Sequence, residues 1–146
     1  APQARVLRDI PAQVLAAHER ELAPELARRA RHVVEEVERT FDARAALLAG
    51  DERRFGAQMF AAHRSLRELY EVSAPELDCL VDAAQAERSV CGARLTGAGF
   101  GGCVVMLLER AGAEAALDSV AQRFEERFGR RPAVQIFGPD AGPREL

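Results

Sequence analysis

Four glycines fall within six positions at Gly97-Ala98-Gly99-Phe100-Gly101-Gly102, and the chain runs from them straight into the apolar, β-branched run Cys103-Val104-Val105-Met106-Leu107-Leu108. The spacing formally matches G-x-G-x-x-G, the dinucleotide-binding pattern. That pattern works only when a strand leads in and a helix leads out, so that a pyrophosphate meets a helix N-terminus. Here an extended run follows at once, which removes the mechanism. Each glycine still costs ordering entropy that an ordinary connector would avoid. Two readings account for the cluster: a tight turn or bulge between Leu95 and Cys103, or a concave set of amides lining an anion or substrate cleft. Spacing alone does not choose between them.

Upstream the period is helical. From Pro24 to Leu48, Leu26, Ala30, Val33, Val37, Phe41, Ala45 and Leu48 recur at steps of three and four, a single stripe on a long amphipathic helix. Pro24 suits the first turn, and Gly50 suits a left-handed position just past the end. Asp51 can cap a second helix carrying Phe55, Met59, Ala62, Leu66 and Leu69, and the short link implies a helical hairpin. Ser73-Ala74-Pro75-Glu76 has the form of a capping box opening a third helix, with Leu77, Leu80, Val81 and Ala84 inward and an end near Ser89.

The period then changes to extended over Val90 to Leu95. Cys103 to Leu108 reads as a central strand covered on both faces. Leu117, Val120, Ala121, Phe124 and Phe128 give a further helix closed by Gly129, and Ala133 to Phe137 reads as a last strand. The expectation is one α+β domain over residues 1–146, a nearly all-helical first half with helices packed on one side of a small, mainly antiparallel sheet.

Composition narrows function mostly by exclusion. The 146 residues are 48% hydrophobic and 29% charged, the ordinary globular range. A net charge of -3 argues against a phosphate-tracking nucleic-acid surface. All 20 cationic side chains are Arg and none is Lys, so a Walker A phosphate lysine is excluded within the chain. Cys79, Cys91 and Cys103 form no C-x-x-C pair, which suggests neither a disulfide framework nor a zinc site and points to a reducing, cytoplasmic setting. No run approaches the ~20 apolar residues of a membrane span, and no signal pattern opens the chain.

The wording around the glycines is more specific than their spacing. Gly92-Ala93-Arg94-Leu95-Thr96-Gly97-Ala98-Gly99-Phe100-Gly101-Gly102-Cys103 closely resembles the third signature motif of the GHMP kinases, in the form seen in galactokinases. The resemblance continues through Leu7-Arg8-Asp9, through Arg28-Arg29-Ala30-Arg31-His32-Val33-Val34, through Ser65 to Ser73, and through Pro75-Glu76-Leu77-Asp78. It extends to the tail from Phe137 to Leu146, which resembles that family's C-terminus. Ala74, Leu95 and Val37 depart from it, standing where Cys, Met and Asn are common.

The resemblance implies a GHMP-kinase C-terminal-domain fold. It also implies, for the whole enzyme, transfer of the γ-phosphoryl group of ATP to the anomeric hydroxyl of galactose, with Mg2+, in a cleft between two domains. The family's sugar-contacting motif, its phosphate loop, its catalytic Asp and the Arg near it have no counterpart here. No catalytic residue and no metal ligand is therefore assigned, and the chain by itself is expected to be inactive and to bind neither ATP nor Mg2+ tightly. The loop Gly97, Ala98, Gly99, Phe100, Gly101 and Gly102 is assigned as the nucleotide- or phosphate-neighbouring element. Arg94 and Thr96 flank it, and Arg94 either faces the cleft or makes a surface ion pair. His32 and His63 are read as structural, and Asp78 and Asp82 as a solvated i, i+4 pair.

The expected partner is the missing N-terminal kinase domain, whose absence would leave an apolar face exposed or covered by self-association. Two other readings stand beside this one. The first is a non-catalytic α+β ligand-binding module. The second is a nicotinamide-binding domain, which requires a helix after Gly102.

Overall fold

A computed structural model describes residues 4–138. After short 3-10 turns and the helix α1 (Ala12–His18), the long helix α2 (Pro24–Leu48) begins with Pro24 in its first turn. Gly50, at φ 67°, lets the chain reverse. Asp51 then caps α3 (Glu52–Ser65), its carboxylate accepting the Arg54 amide at 2.9 Å. The chain widens into one π-helical turn, Leu66–Tyr70, before α4 (Pro75–Gln85). Strands β1 (Val90–Thr96) and β2 (Cys103–Leu108) pair antiparallel, and α5 (Ala113–Phe128) ends at Gly129, which is left-handed at φ 68°.

The two strands are the only sheet among the described residues, and their register sets the core. Ala93 lies opposite Met106, Leu95 opposite Val104, and Val90 opposite Leu108. That face packs on α4 and α5 through Val81, Ala83, Ala84, Ala116 and Val120, continuing into Leu66 and Leu77 below the loop end. The small residues let helices lie close on the sheet. Leu77 and Leu95, each 2% exposed, fill the space that remains.

Helix α3 runs along the edge of β1 that β2 leaves free. His63 accepts the Leu95 amide at 3.3 Å, and Arg53 donates to the Val90 carbonyl at 3.4 Å, so edge groups that a third strand would have used are satisfied by side chains. The approach is close enough that Gly56 and Gly92 meet backbone to backbone, and a Cβ on either would overlap the other strand or helix. The outer edge of β2 pairs with no strand among the described residues.

Several expectations are corrected. The inward face of α2 is Ala27, Ala30, Val34 and Ala46, whereas Leu26, Phe41 and Leu48 of the expected stripe are 61%, 68% and 73% exposed. An alanine face allows α2 to approach α3 closely, so the bulkier stripe is turned outward. Strand β2 is covered on one face rather than two: Val104, Met106 and Leu108 pack inward while Cys103 and Val105 are exposed. The doubly enclosed strand is β1. Ser73 does not cap α4, because its hydroxyl donates to Asp78 instead, and the helix ends at Gln85 rather than near Ser89. Residues 133–137 form no strand, having no ladder partner, and Ile136 and Phe137 are 71% and 80% exposed. The family-like tail beyond residue 138 lies outside the described residues.

Candidate functional site

The glycine segment closes the β1–β2 hairpin. Thr96 and Cys103 are register partners, so Gly97 to Gly102 is the whole connection, and an extended strand, not a helix, leaves it. This removes the dinucleotide reading. Gly97, Gly99, Phe100, Gly101 and Gly102 all have positive φ, at 94°, 85°, 60°, 141° and 100°. Positive φ is a backbone geometry that only glycine adopts without strain. Phe100 is the exception, a bulky residue held left-handed and 74% exposed.

One contact seats the loop. The Phe100 amide donates to the Val72 carbonyl at 2.7 Å, and Gly99 lies so close to the same carbonyl that an added Cβ would overlap it. With that amide spent on Val72, any anion contact falls to the other amides of the loop. Val72 is held in turn by the π-helical turn, whose end is left-handed Glu71 at φ 58°, with the Glu71 and Val72 amides both directed at the Leu66 carbonyl. Arg29 donates to Glu71 at 2.6 Å and to the Leu69 carbonyl at 2.6 Å, and Arg28 adds a contact to Glu71 at 3.4 Å. The hydrogen bond from Arg29, and then the charge of Arg28, hold the Glu71 carboxyl below its usual range. His32 stacks on Tyr70 with ring centroids 4.5 Å apart and hydrogen-bonds Ser65 at 2.8 Å. Burial pushes the His32 pKa down.

His63 is the second buried histidine. Its Nδ1 accepts from the Leu95 amide, so the ring proton of the neutral form sits on Nε2, which donates to Asp78 Oδ1 at 3.2 Å. Asp78 Oδ1 also accepts from the Ser73 hydroxyl at 2.6 Å. Burial lowers the His63 pKa, with the Asp78 charge opposing it. The sequence gives His63 no convergent carboxylate and treats Asp78 as solvated. The fold supplies the pairing across fifteen residues. Asp82 does remain exposed, facing Arg67 at 3.3 Å.

Arg94 makes the ion pair that was one of its two expected roles. It pairs with Glu36 at 3.8 Å and lines a cavity of about 370 Å³ with Arg39, Phe55, Met59 and Leu107. Thr96 is exposed at the last ladder pair. Among the described residues no three His, Cys, Asp or Glu side chains gather as a metal site, and no helix is long and apolar enough to cross a membrane.

Sequence reasoning found the loop and missed its seat. The stretches Arg28 to Val34, Ser65 to Ser73 and Pro75 to Asp78, which carry the resemblance without an evident physical reason, meet behind the loop. The available signal was polar: a Glu flanked by apolar residues after Tyr70, with two adjacent arginines on the preceding long helix.

Residues 43–126, more than half of the chain, match the family described as GHMP kinases C terminal, and the chain belongs to that family. Within it the likeness is to galactokinases. The chain is 46% identical over 135 residues to a galactokinase of Roseiflexus sp. (strain RS-1), covering 92% of this chain and 34% of that protein. It is 50% identical over 118 residues to the galactokinase of Homo sapiens, covering 81% of this chain and 30% of that one. The crystal structure of Lactococcus lactis galactokinase complexed with galactose superposes with a TM-score of 0.85 at 38% identity, over 88% of this chain and 34% of the other. The chain thus spans about a third of the length of these relatives.

Proposed function

We propose that this chain is the C-terminal part of an ATP-dependent galactose kinase and contributes one wall of its cleft, with the Gly97–Gly102 loop beside the transferring phosphate. The observation that carries the reading is the loop itself: a run of positive-φ residues fixed on Val72, in a chain whose similarity to galactokinases runs through both the loop and its seat. Phosphoryl transfer depends on positioning and charge stabilisation. A loop of amides can steady one phosphate, but it cannot align two substrates, and alignment can account for ~7–11 kcal/mol of barrier lowering. Among the described residues no three His, Cys, Asp or Glu side chains gather, so in this reading the groups that would hold magnesium are assigned to the other part of the longer enzyme. The base, the phosphate loop and the sugar contacts belong in this reading to the other part of the longer enzyme.

The same reading assigns a role to the outward stripe of α2. Leu26, Phe41 and Leu48 are exposed, together with Phe100 at the loop tip. Domain interfaces within a chain bury about 600–1,500 Å², and a face of this kind drives self-association when it is uncovered. We assign it to contact with the remaining part of the enzyme.

The test is an ATP-to-galactose phosphoryl-transfer assay on the purified chain, alongside a fusion to the portion of the Roseiflexus galactokinase that this chain does not match. The chain alone should be inactive and the fusion active. Substantial turnover by the chain alone would mean that the active site is misplaced. A folded but inactive fusion would favour a non-catalytic ligand-binding module.

A further inference from the structure

The loop is held from two sides by groups that belong to one hydrogen-bonded circuit. Leu95, just before the loop, gives its amide to His63 Nδ1. His63 Nε2 reaches Asp78, Asp78 accepts from Ser73, and Ser73 directly follows Val72, whose carbonyl takes the Phe100 amide. The covalent chain from Leu95 to Phe100 closes the ring. We propose that His63, Asp78 and Ser73 together form a positioning set that fixes the Gly97–Gly102 loop against Val72. The inference rests on the reading of that loop as part of a kinase cleft.

Three features argue that this set does more than fill the core. First, the Leu95 amide lies on a buried strand edge where an acceptor is obligatory, and a neutral imidazole with Asp78 behind it is an acceptor whose tautomer is fixed. Second, Asp78 gathers the His63 ring and the Ser73 hydroxyl onto one oxygen, so α3, the α4 entry and the Val72 turn cannot shift independently. Third, the loop tip has little else to hold it: nothing lies within 4 Å of a Cβ built on Gly97 or Gly101. Protonating Nδ1 would remove the acceptor and turn a donor against the Leu95 amide. The charged groups facing His63 are Asp78 and Asp82 from α4 and Arg67 from the π-helical turn, with Arg64 and Glu68 lining the same shallow cleft. Burial keeps the ring neutral against the pull of the two aspartates.

Backbone amide protection measured by NMR on the 15N-labelled chain tests this without any activity assay, so its failure is distinct from failure of the kinase reading. As pH falls through the His63 titration, followed by the ring proton shift, protection at Leu95 and Phe100 should fall together by about tenfold while Ala84 and Val120 keep theirs. Ser73→Ala, a small change at a half-buried position, should lower Phe100 protection even with His63 neutral. His63→Asn, which offers an oxygen near the Nδ1 position but does not titrate, should flatten the pH dependence. Retained Phe100 protection after His63 protonates would overturn the proposal, as would parallel loss at Ala84 and Val120 or an unchanged pH dependence in His63→Asn. If His63→Asn does not fold, Ser73→Ala decides: a Phe100 amide protected as in the parent chain overturns the positioning set.

Discussion

Glycine does two different jobs on either side of strand β1. At the Gly56–Gly92 junction two backbones touch, and what matters is the missing Cβ. At Gly97 and Gly101 the surroundings are open, and what matters is the sign of φ. The first arrangement is a packing requirement, and its loss propagates through α3 into the core. The second is a conformational requirement confined to the hairpin tip. Gly99 belongs to both classes, being left-handed and pressed on Val72. Glycine content therefore says little until each position is asked whether a side chain would collide or only twist the backbone.

The sharpest way to break this contrast is Gly92→Ala. With backbone on both sides nothing flexible can yield, and the cost should exceed about 3 kcal/mol, at the upper end of overpacking effects. Urea denaturation would measure it, and a loss below about 1 kcal/mol would mean that the α3–β1 junction is looser than described. Next come the loop glycines as a pair: Gly99→Ala should cost about 2–3 kcal/mol through combined strain and collision, and Gly97→Ala about 1 kcal/mol through backbone conformation alone. Equal costs at the two positions would erase the distinction.

Acid should separate the regions as well. His32 and His63 both sit behind the loop with pKa values lowered mainly by burial, so the folded state favours their neutral forms. Their contribution is complete above the unfolded histidine value near 6.5 and is lost as pH falls below it toward the folded values. Denaturation midpoints recorded across that window should decline with acid, and the decline should shrink in His63→Asn. Smallest is Phe41→Ser on the outward face of α2: stability should change by less than about 0.5 kcal/mol, while sedimentation shows weaker self-association.

Local signals were the legible ones. The bounds of α2, the Asp51 cap and the Gly50 reversal follow from residues within a turn of each other, and the hairpin follows from two extended runs abutting one loop. The inward face of α2 was not legible, because a helix rich in alanine offers two candidate stripes and only the partner selects one. The strand expected at residues 133–137 required a neighbour that no short-range pattern supplies. The loop's seat lay furthest from view. Phe100 to Val72, Leu95 to His63 and His63 to Asp78 join positions far apart in the chain, and none has a periodicity that would announce it.

Among the described residues only one margin of the two-stranded sheet is sealed. Helix α3 covers β1, while β2 presents Cys103 to Leu108, an uncharged, apolar hexapeptide without proline, along an edge that meets no strand among the described residues. Such an edge is a template for strand addition and cross-β growth. Heating or concentrating the protein should therefore convert it to fibrillar aggregates seeded at this hairpin, and its shelf life will follow the rate of that conversion instead of the equilibrium free energy of unfolding.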